Sequence, residues 1–215
     1  MNHVQFIFLI EGLKGTVILS TLTFLFGGIL AFLLALARIS SWYVVRLLAS
    51  VFMQIVQGIP LLVIMGIVFF GPSLLNLYDV APLTAATVAM SIYSAAFLGD
   101  IWQGCLLSVP KPQWEAAETL GFSRTSRMFK IILPQAIRIA TPPTVGFMVQ
   151  IIKNTSIASL VIGYSELSYN AKLLNNSTFQ PFLIFGIAAA FYFIISYPLS
   201  VGSRYLERSR NVANH

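Results

Sequence analysis

Histidine is confined to the two ends of this chain, at His3 and His215, and cysteine to a single position, Cys105. The first scarcity removes an imidazole-based metal site, or a histidine general base, from everything between. The second removes an internal disulfide. Charge is scarce as well: Asp, Glu, Lys and Arg make up 9% of the 215 residues, where a soluble domain has about 25%. No glycine-rich run ending in Gly-Lys-Ser/Thr occurs, so the chain has no phosphate cradle of that type. What remains is 57% hydrophobic, a composition that belongs in a bilayer. The net charge of +6 is then a question of orientation rather than of nucleic-acid binding.

A spanning helix needs about 20 mostly apolar residues. Five segments meet that length, at about residues 13–37, 47–70, 81–107, 139–162 and 181–201. Val4 to Ile10 is apolar but short, Glu11 and Lys14 follow it, and no small-residue cleavage site appears. It reads as an interfacial segment leading into the first span. With five spans, ten of the thirteen Lys and Arg fall on one side. They are Arg38 and Arg46 after span one, Lys111, Arg124, Arg127, Lys130 and Arg138 around the central loop, and Arg204, Arg208 and Arg210 in the tail. The positive-inside rule places the N-terminus outside and the C-terminus in the cytoplasm. The fold class expected is therefore all-α and integral to the membrane, one transmembrane domain over residues 1–215.

Pro60 in span two and Pro142-Pro143 in span four are expected to kink or interrupt their helices. Gly27-Gly28, Ala31, Ala35, Ala95-Ala96 and Ala188 to Ala190 allow helices to approach closely. Trp42, Tyr43, Trp102 and Trp114 fall near the expected interfaces and read as anchors there.

Between spans three and four runs a polar stretch, Pro110 to Pro134. Its prolines end one span and open the next. Trp114 to Leu120 reads as a short helix with a small surface at Ala116 and Ala117, and Glu115 and Glu118 suit a first turn. Gly121 ends it, because glycine accepts the left-handed conformation after a last turn. Ser123 caps a second helix, Arg124 to Ile132. Two short helices hinged at a glycine make a knob. A knob of this kind fits a protein partner, and its basic face fits anionic lipid; the residues alone leave both open.

Glu115-Ala116-Ala117, with Gly121 four residues later and Ile131, Leu133 and Pro134 beyond it, resembles the EAA loop of bacterial ABC-importer permeases. More of the chain is similar to the permeases of polar amino-acid importers, the histidine/glutamine/arginine/opine group. The matching fragments are Glu11-Gly12-Leu13-Lys14-Gly15-Thr16, Gly58-Ile59-Pro60-Leu61-Leu62, Leu133-Pro134-Gln135-Ala136, Lys153-Asn154-Thr155-Ser156-Ile157 and Ser165-Glu166-Leu167. The chain departs from that pattern at Gln57, where Arg is usual, at Phe97, Asp100 and Gln103, where Tyr, Glu and Arg are common, and at Asn154, where Asp is usual. These losses of charge accord with one half of an unequal permease pair.

The resemblance implies an inner-membrane subunit working by alternating access with a second permease, the same chain or a homologue. Cytoplasmic ATPases hold the ATP and magnesium, and an extracytoplasmic binding protein delivers an amino-acid-type solute. No cofactor, metal or catalytic residue is expected in this chain. The coupling residues implied are Glu115 as polar anchor, Ala116 and Ala117 as close-contact surface, Gly121 as hinge, and Ile131, Leu133 and Pro134 at the return. Asp100 and Lys153 cannot sit in lipid without a partner or a wet cavity. They read either as an ion pair or snorkelling groups, or, with Asn154, Thr155, Ser156 and Glu166, as lining of the substrate pathway. Two other classes compete. An intramembrane enzyme lacks any visible nucleophile–base or ligand set. A non-transporting scaffold or channel subunit accounts for the spans but not for the loop or the helix breaks.

Overall fold

Helix α1 runs unbroken from His3 to Arg38. Val4 to Ile10 is thus the first part of that helix and not a separate segment. The computed structural model describes the backbone of residues 2–213 and side chains through Arg208; Arg210 lies beyond those side chains and His215 beyond the described residues. After α1 come α2 (Tyr43–Gly58), α3 (Leu61–Leu74), α4 (Pro82–Leu107), α5 (Lys111–Thr119), α6 (Arg124–Arg127), a π-turn (Met128–Ile132), α7 (Leu133–Ile162), α8 (Leu167–Thr178) and α9 (Pro181–Ala213). No strand occurs among the described residues. Four helices are long and apolar enough to cross a membrane, and the α2–α3 pair counts as a fifth if its bend lies within one span.

That bend, 100°, replaces the continuous second span expected over 47–70. Ile59 precedes a proline and is extended, with φ −105° and ψ 129°. Pro60 then opens α3 by accepting the amides of Val63 and Ile64. The double proline in α7 behaves oppositely. The helix continues through Pro142 and Pro143, so the interruption expected there is absent. The buried Pro142 carbonyl accepts the Ser203 hydroxyl of α9 at 2.8 Å, a neighbouring-helix contact of the kind that lets membrane helices carry proline.

The bundle is organised around one face of α1. Leu19, Thr23, Gly27, Ala31 and Ala35 recur every fourth residue, and all five are buried. Against them α4 presents Ser91, Ser94 and Gly99. A Cβ on Gly27 would sit 3.2 Å from the Ser91 carbonyl oxygen, and one on Gly99 would sit 3.3 Å from that of Ala31. Small residues on both sides bring the two backbones together, as helix pairs in lipid require when there is no hydrophobic driving force between them.

Three apolar clusters run along the bundle. The central one joins Leu19, Met53, Met65, Met90, Ile151 and Ala158, drawn from α1, α2, α3, α4 and α7. At one end Leu9, Leu167, Ala171, Leu174, Ile184 and Ala188 join α1, α8 and α9. At the other, Ala35, Leu106, Val109, Ile132 and Ala136 tie α1 and α4 to the start of α7.

Gly15 decides the first of these ends. A Cβ there would fall on the Ser165 carbonyl oxygen, and one at Gly12 would lie 2.9 Å from that of Glu166. Gly15→Ala therefore forces backbone apart and is expected to destabilise the protein by about 3 kcal/mol, at the upper end for overpacking. Gly104→Ala, where nothing lies within 4 Å, is expected to be neutral or stabilising by up to about 1 kcal/mol. Thermal unfolding of the detergent-purified variants measures both; equal melting temperatures would overturn the account of this contact.

Candidate functional site

The loop between α4 and α7 is a helical hairpin closed by hydrogen bonds its sequence dictates. At the end of α5 the Gly121 amide donates to Glu118 at 2.9 Å and the Phe122 amide to Ala117 at 3.1 Å. This paired pattern requires a left-handed residue between them. Gly121 supplies it with φ +75°. Ser123 then caps α6, its hydroxyl oxygen accepting the Ser126 amide at 3.3 Å. Arg127 returns across the turn to Glu118 at 2.6 Å.

The second helix of the hairpin is not a separate short element. From Arg124 the chain is helical to Ile162, relaxing through the π-turn before Pro134. Pro134 has no amide to continue the ladder. The Leu133 amide reaches back five residues to Met128, and the Gln135 side chain donates to the Ile131 carbonyl at 2.9 Å. The hairpin is thus an extension of α7, not a knob on a flexible return.

Its two alanines divide. Glu115 and Ala116 are exposed with Leu120 beyond them, whereas Ala117 is 2% exposed and faces the protein. Of the two alanines expected to offer a contact surface, Ala116 is exposed and Ala117 is buried within this chain. Beneath it, Trp114 packs with Met128, Ile131, Leu133 and Ile139 onto Ala35, Leu106 and Ile132. The Arg124 guanidinium donates to the Ile39 carbonyl at the end of α1, at 3.2 Å. Trp114, expected as an interfacial anchor, is half-buried and part of this joint. Trp102 likewise turns inward, its indole N–H donating to Thr144 of α7 at 2.7 Å. Trp42 and Tyr43 are exposed, as anchors would be.

The polar run in α7 splits by face. Lys153 is exposed and Ser156 half-buried, and both line a groove of about 590 Å³ with Ser168, Tyr192, Ser196 and Ser200. Ser196 is 7% exposed with no hydrogen-bond partner for its hydroxyl. Asn154 and Thr155 point the other way and are buried; Asn154 accepts from Gln150 at 3.1 Å and Thr155 donates to the Ile152 carbonyl. Asp100 is exposed on α4. Neither Asp100 nor Lys153 forms an ion pair among the described residues. The ion pair offered as one reading of these two charges is thus not made within this chain.

Glu166 is fully buried and lines no groove described above. It caps α8 by accepting the Tyr169 amide at 2.9 Å, the Thr16 hydroxyl of α1 at 3.2 Å and the Tyr192 hydroxyl of α9 at 2.6 Å. Ser168 bonds the same Tyr192 hydroxyl at 2.9 Å. Tyr164 donates to the Gly15 carbonyl at 3.2 Å, and burial, with Glu166 nearby, holds its phenol above the ordinary value. Glu166 thus joins three helices one step behind the groove wall, at Tyr192. Helix α8 itself was missed by the span count. Its traces are the acidic cap and the spacing of Leu167, Ala171 and Leu174 on one face.

The sequence matches the model of a protein family, binding-protein-dependent transport system inner membrane component, over residues 25–211. It is 37% identical to the L-cystine transport system permease protein of Bacillus subtilis, covering 92% of this chain and 84% of that one. It is 35% identical to the glutamine transport system permease protein of Escherichia coli, covering 95% and 93%. Among solved structures, an amino acid ABC transporter crystallised with histidines superposes with a TM-score of 0.87 at 27% identity, over 97% of this chain and 99% of that one. An inward-facing methionine ABC transporter superposes at 0.79 over the same shares, and at 16% identity that likeness concerns the fold alone.

The three bonds converging on Glu166 yield a stability prediction. Glu166→Gln sets an amide N–H₂ against a set of donors and is expected to cost about 2 kcal/mol, the scale of a buried polar mismatch. Tyr192→Phe removes one donor and is expected to cost about 1 kcal/mol. Both are read as lowered thermal midpoints; unchanged midpoints would mean the network does not hold α1, α8 and α9 together.

Proposed function

The chain belongs to the family of binding-protein-dependent transport system inner membrane components, and on that premise we propose that it is the permease subunit of an ATP-driven importer of polar amino acids or related compounds. Its fold is that of the ABC permeases, and the relatives it resembles are amino-acid permeases. In this reading residues 1–215 form one transmembrane domain with the N-terminus outside and the C-terminus in the cytoplasm of a bacterial inner membrane. The one-sided placement of Lys and Arg supports that orientation. A second permease, the same chain or a homologue, completes the pathway. Partner ATPases bind ATP and magnesium, and an extracytoplasmic binding protein delivers the solute. No observation favours a scaffold or channel subunit that does not transport.

The observation that carries the mechanism is the anchorage of the α5–α6 hairpin. Its exposed tip of Glu115, Ala116 and Leu120 fits a groove on a cytoplasmic ATPase. Its root is packed on α1, α4 and α7 at once. Closure of the ATPase pair displaces the tip, and the stiff continuation through Ile131, Leu133 and Pro134 turns α7 with it. Alternating access follows when that rotation opens the pathway on one side and shuts it on the other. Gly121 serves as the bend that aims the tip; its role is conformational, since a Cβ there meets nothing within 4 Å of this chain.

On the pathway, Lys153 and Ser156 meet the solute from the groove, where the unpartnered Ser196 hydroxyl leaves a hydrogen bond to be made. An unpaired ammonium in that position suits a solute carboxylate and is too costly to keep against lipid. Asp100 belongs to the same pathway on α4. Asn154, Thr155 and Glu166 hold its walls from behind.

Two experiments test this. The chain is expressed with its ATPase and purified from membranes. Wild type is expected to co-purify the ATPase in stoichiometric amount, while Glu115→Lys loses it and Gly121→Val keeps assembly but drops solute-stimulated hydrolysis at least about tenfold, a coupling loss of about 1.4 kcal/mol. Intact coupling in both variants removes the hairpin from the mechanism. Lys153→Met is expected to lower solute uptake at least about tenfold with the amount of assembled complex unchanged. Normal uptake takes Lys153 out of the pathway.

A further inference from the structure

On the side of α7 away from Lys153 lies a second kind of space. One lobe, about 390 Å³, is bounded by Phe24 and Phe32 of α1, Trp102 and Leu106 of α4, and Ala140 and Met148 of α7. A second, about 330 Å³, continues it between α1, α7 and α9, and the two share Phe24 and Met148. On α7 the first lobe extends from Leu133 to Met148, about 22 Å of helix at about 1.5 Å per residue. A bilayer leaflet's hydrocarbon is about 15 Å deep, half of the ~30 Å core.

The walls have nothing to offer a polar solute. Every hydroxyl in the two lobes is already donated to a backbone carbonyl: Ser20 to Thr16 at 2.7 Å, Thr21 to Val17 at 2.8 Å, Thr141 to Ile137 at 2.7 Å and Thr144 to Ala140 at 2.6 Å. The one indole N–H, of Trp102, goes to Thr144. The space is also too narrow for a helix, which is about 10 Å across and over that length takes several times the volume. The four flanking helices, α1, α4, α7 and α9, are each long and apolar enough to span a membrane, as a hydrocarbon medium outside the gap requires.

At the Leu133 end the rim changes character. Lys130 precedes Leu133 by less than one turn, and Arg138 lies beside Ile137 and Thr141 of the lining face. Both are exposed and neither pairs with a carboxylate among the described residues. An apolar slot longer than a leaflet is deep, with two unpaired cations flanking its first third and about 15 Å of lining beyond Arg138, is complementary to one molecule class. We propose that this gap is a phospholipid site, taking an acyl chain of an anionic phospholipid whose headgroup rests on Lys130 and Arg138. Because the gap lies between α1 and the α7 that continues the hairpin, an occupied gap sets their spacing. The inference rests on these helices crossing the bilayer but not on the solute or on coupling, so its test reads lipid rather than transport.

The complex with its ATPase is reconstituted in vesicles of equal phosphatidylglycerol and phosphatidylcholine, re-extracted in mild detergent, and its retained lipid counted by native mass spectrometry. About one phospholipid per permease chain is expected, with phosphatidylglycerol favoured at least about fivefold by the two cations. Ala140→Phe, which fills the first lobe, is expected to cut retention about tenfold; Lys130→Ala with Arg138→Ala is expected to keep the lipid but lose the headgroup preference. No retention by wild type, equal retention by Ala140→Phe, or a headgroup preference that survives the double substitution overturns the proposal. A second measurement covers poor folding of Ala140→Phe. In a Trp42→Phe, Trp114→Phe chain, Trp102 fluorescence is expected to be quenched by phosphatidylglycerol brominated in its acyl chains. Trp102 left unquenched in the assembled complex means that a second permease copy covers the gap and lipid does not.

Discussion

Helix α1 can lie against two different partners because it presents so little side chain to either. In lipid there is no water to expel between helices, and association depends on how closely backbones approach and how many polar groups they satisfy. Thr23, Gly27, Ala31 and Ala35 bring α4 in along the second half of the helix, and Gly12 and Gly15 admit the backbone of Ser165 and Glu166 at its other end. Thr16, between the two, accepts the Leu167 amide at 3.2 Å and reaches the Glu166 carboxyl. The positions of α4 and α8, and through Glu166 that of α9, all refer back to this one face.

The hairpin between α4 and α7 is built for stiffness rather than for exposure. Its turn is closed by a left-handed glycine, its two limbs are bridged by Arg127 and Glu118, and its root is buried on α1, α4 and α7. The ion pair is half solvent-facing, with the Glu118 side chain 73% exposed, and such pairs contribute at most about 1 kcal/mol. The packing of Trp114, Ile132 and Ala136 is what joins the hairpin to the bundle. A force on Ala116 or Leu120 therefore reaches three helices together, which is the property a coupling element needs.

The two sides of α7 divide the work of the chain. One side carries Lys153, Ser156 and, across the groove, the unpartnered Ser196 hydroxyl. The other carries Thr141 and Thr144, whose hydroxyls are spent on their own helix. The Ser156 hydroxyl is likewise spent on its own helix, at the Lys153 carbonyl, so what sets the groove side apart is the unpaired Lys153 ammonium and the open Ser196 hydroxyl.

Much of this was legible in order along the chain. Apolar length gave the helices, the scarcity of charge gave the bilayer, and Gly121 and Ser123 gave the turn and cap of the hairpin, because each of those follows from local chemistry. Pro60 and the Pro142-Pro143 pair read alike in sequence, yet one ends a helix with a 100° bend and the other does not. That difference was decided by what surrounds them, in the second case Ser203 arriving from α9. Asp100 and Lys153 suggested a pair, and Glu166 a pathway residue, because a sequence shows that a charge must be compensated but not by which group. Only the packed helices leave Lys153 unpaired in a groove and close Glu166 behind Tyr192. The chain by itself determined where the long apolar helices run and where the hairpin turns; the tertiary structure decided which face each polar group meets, since that depends on neighbours far away in sequence.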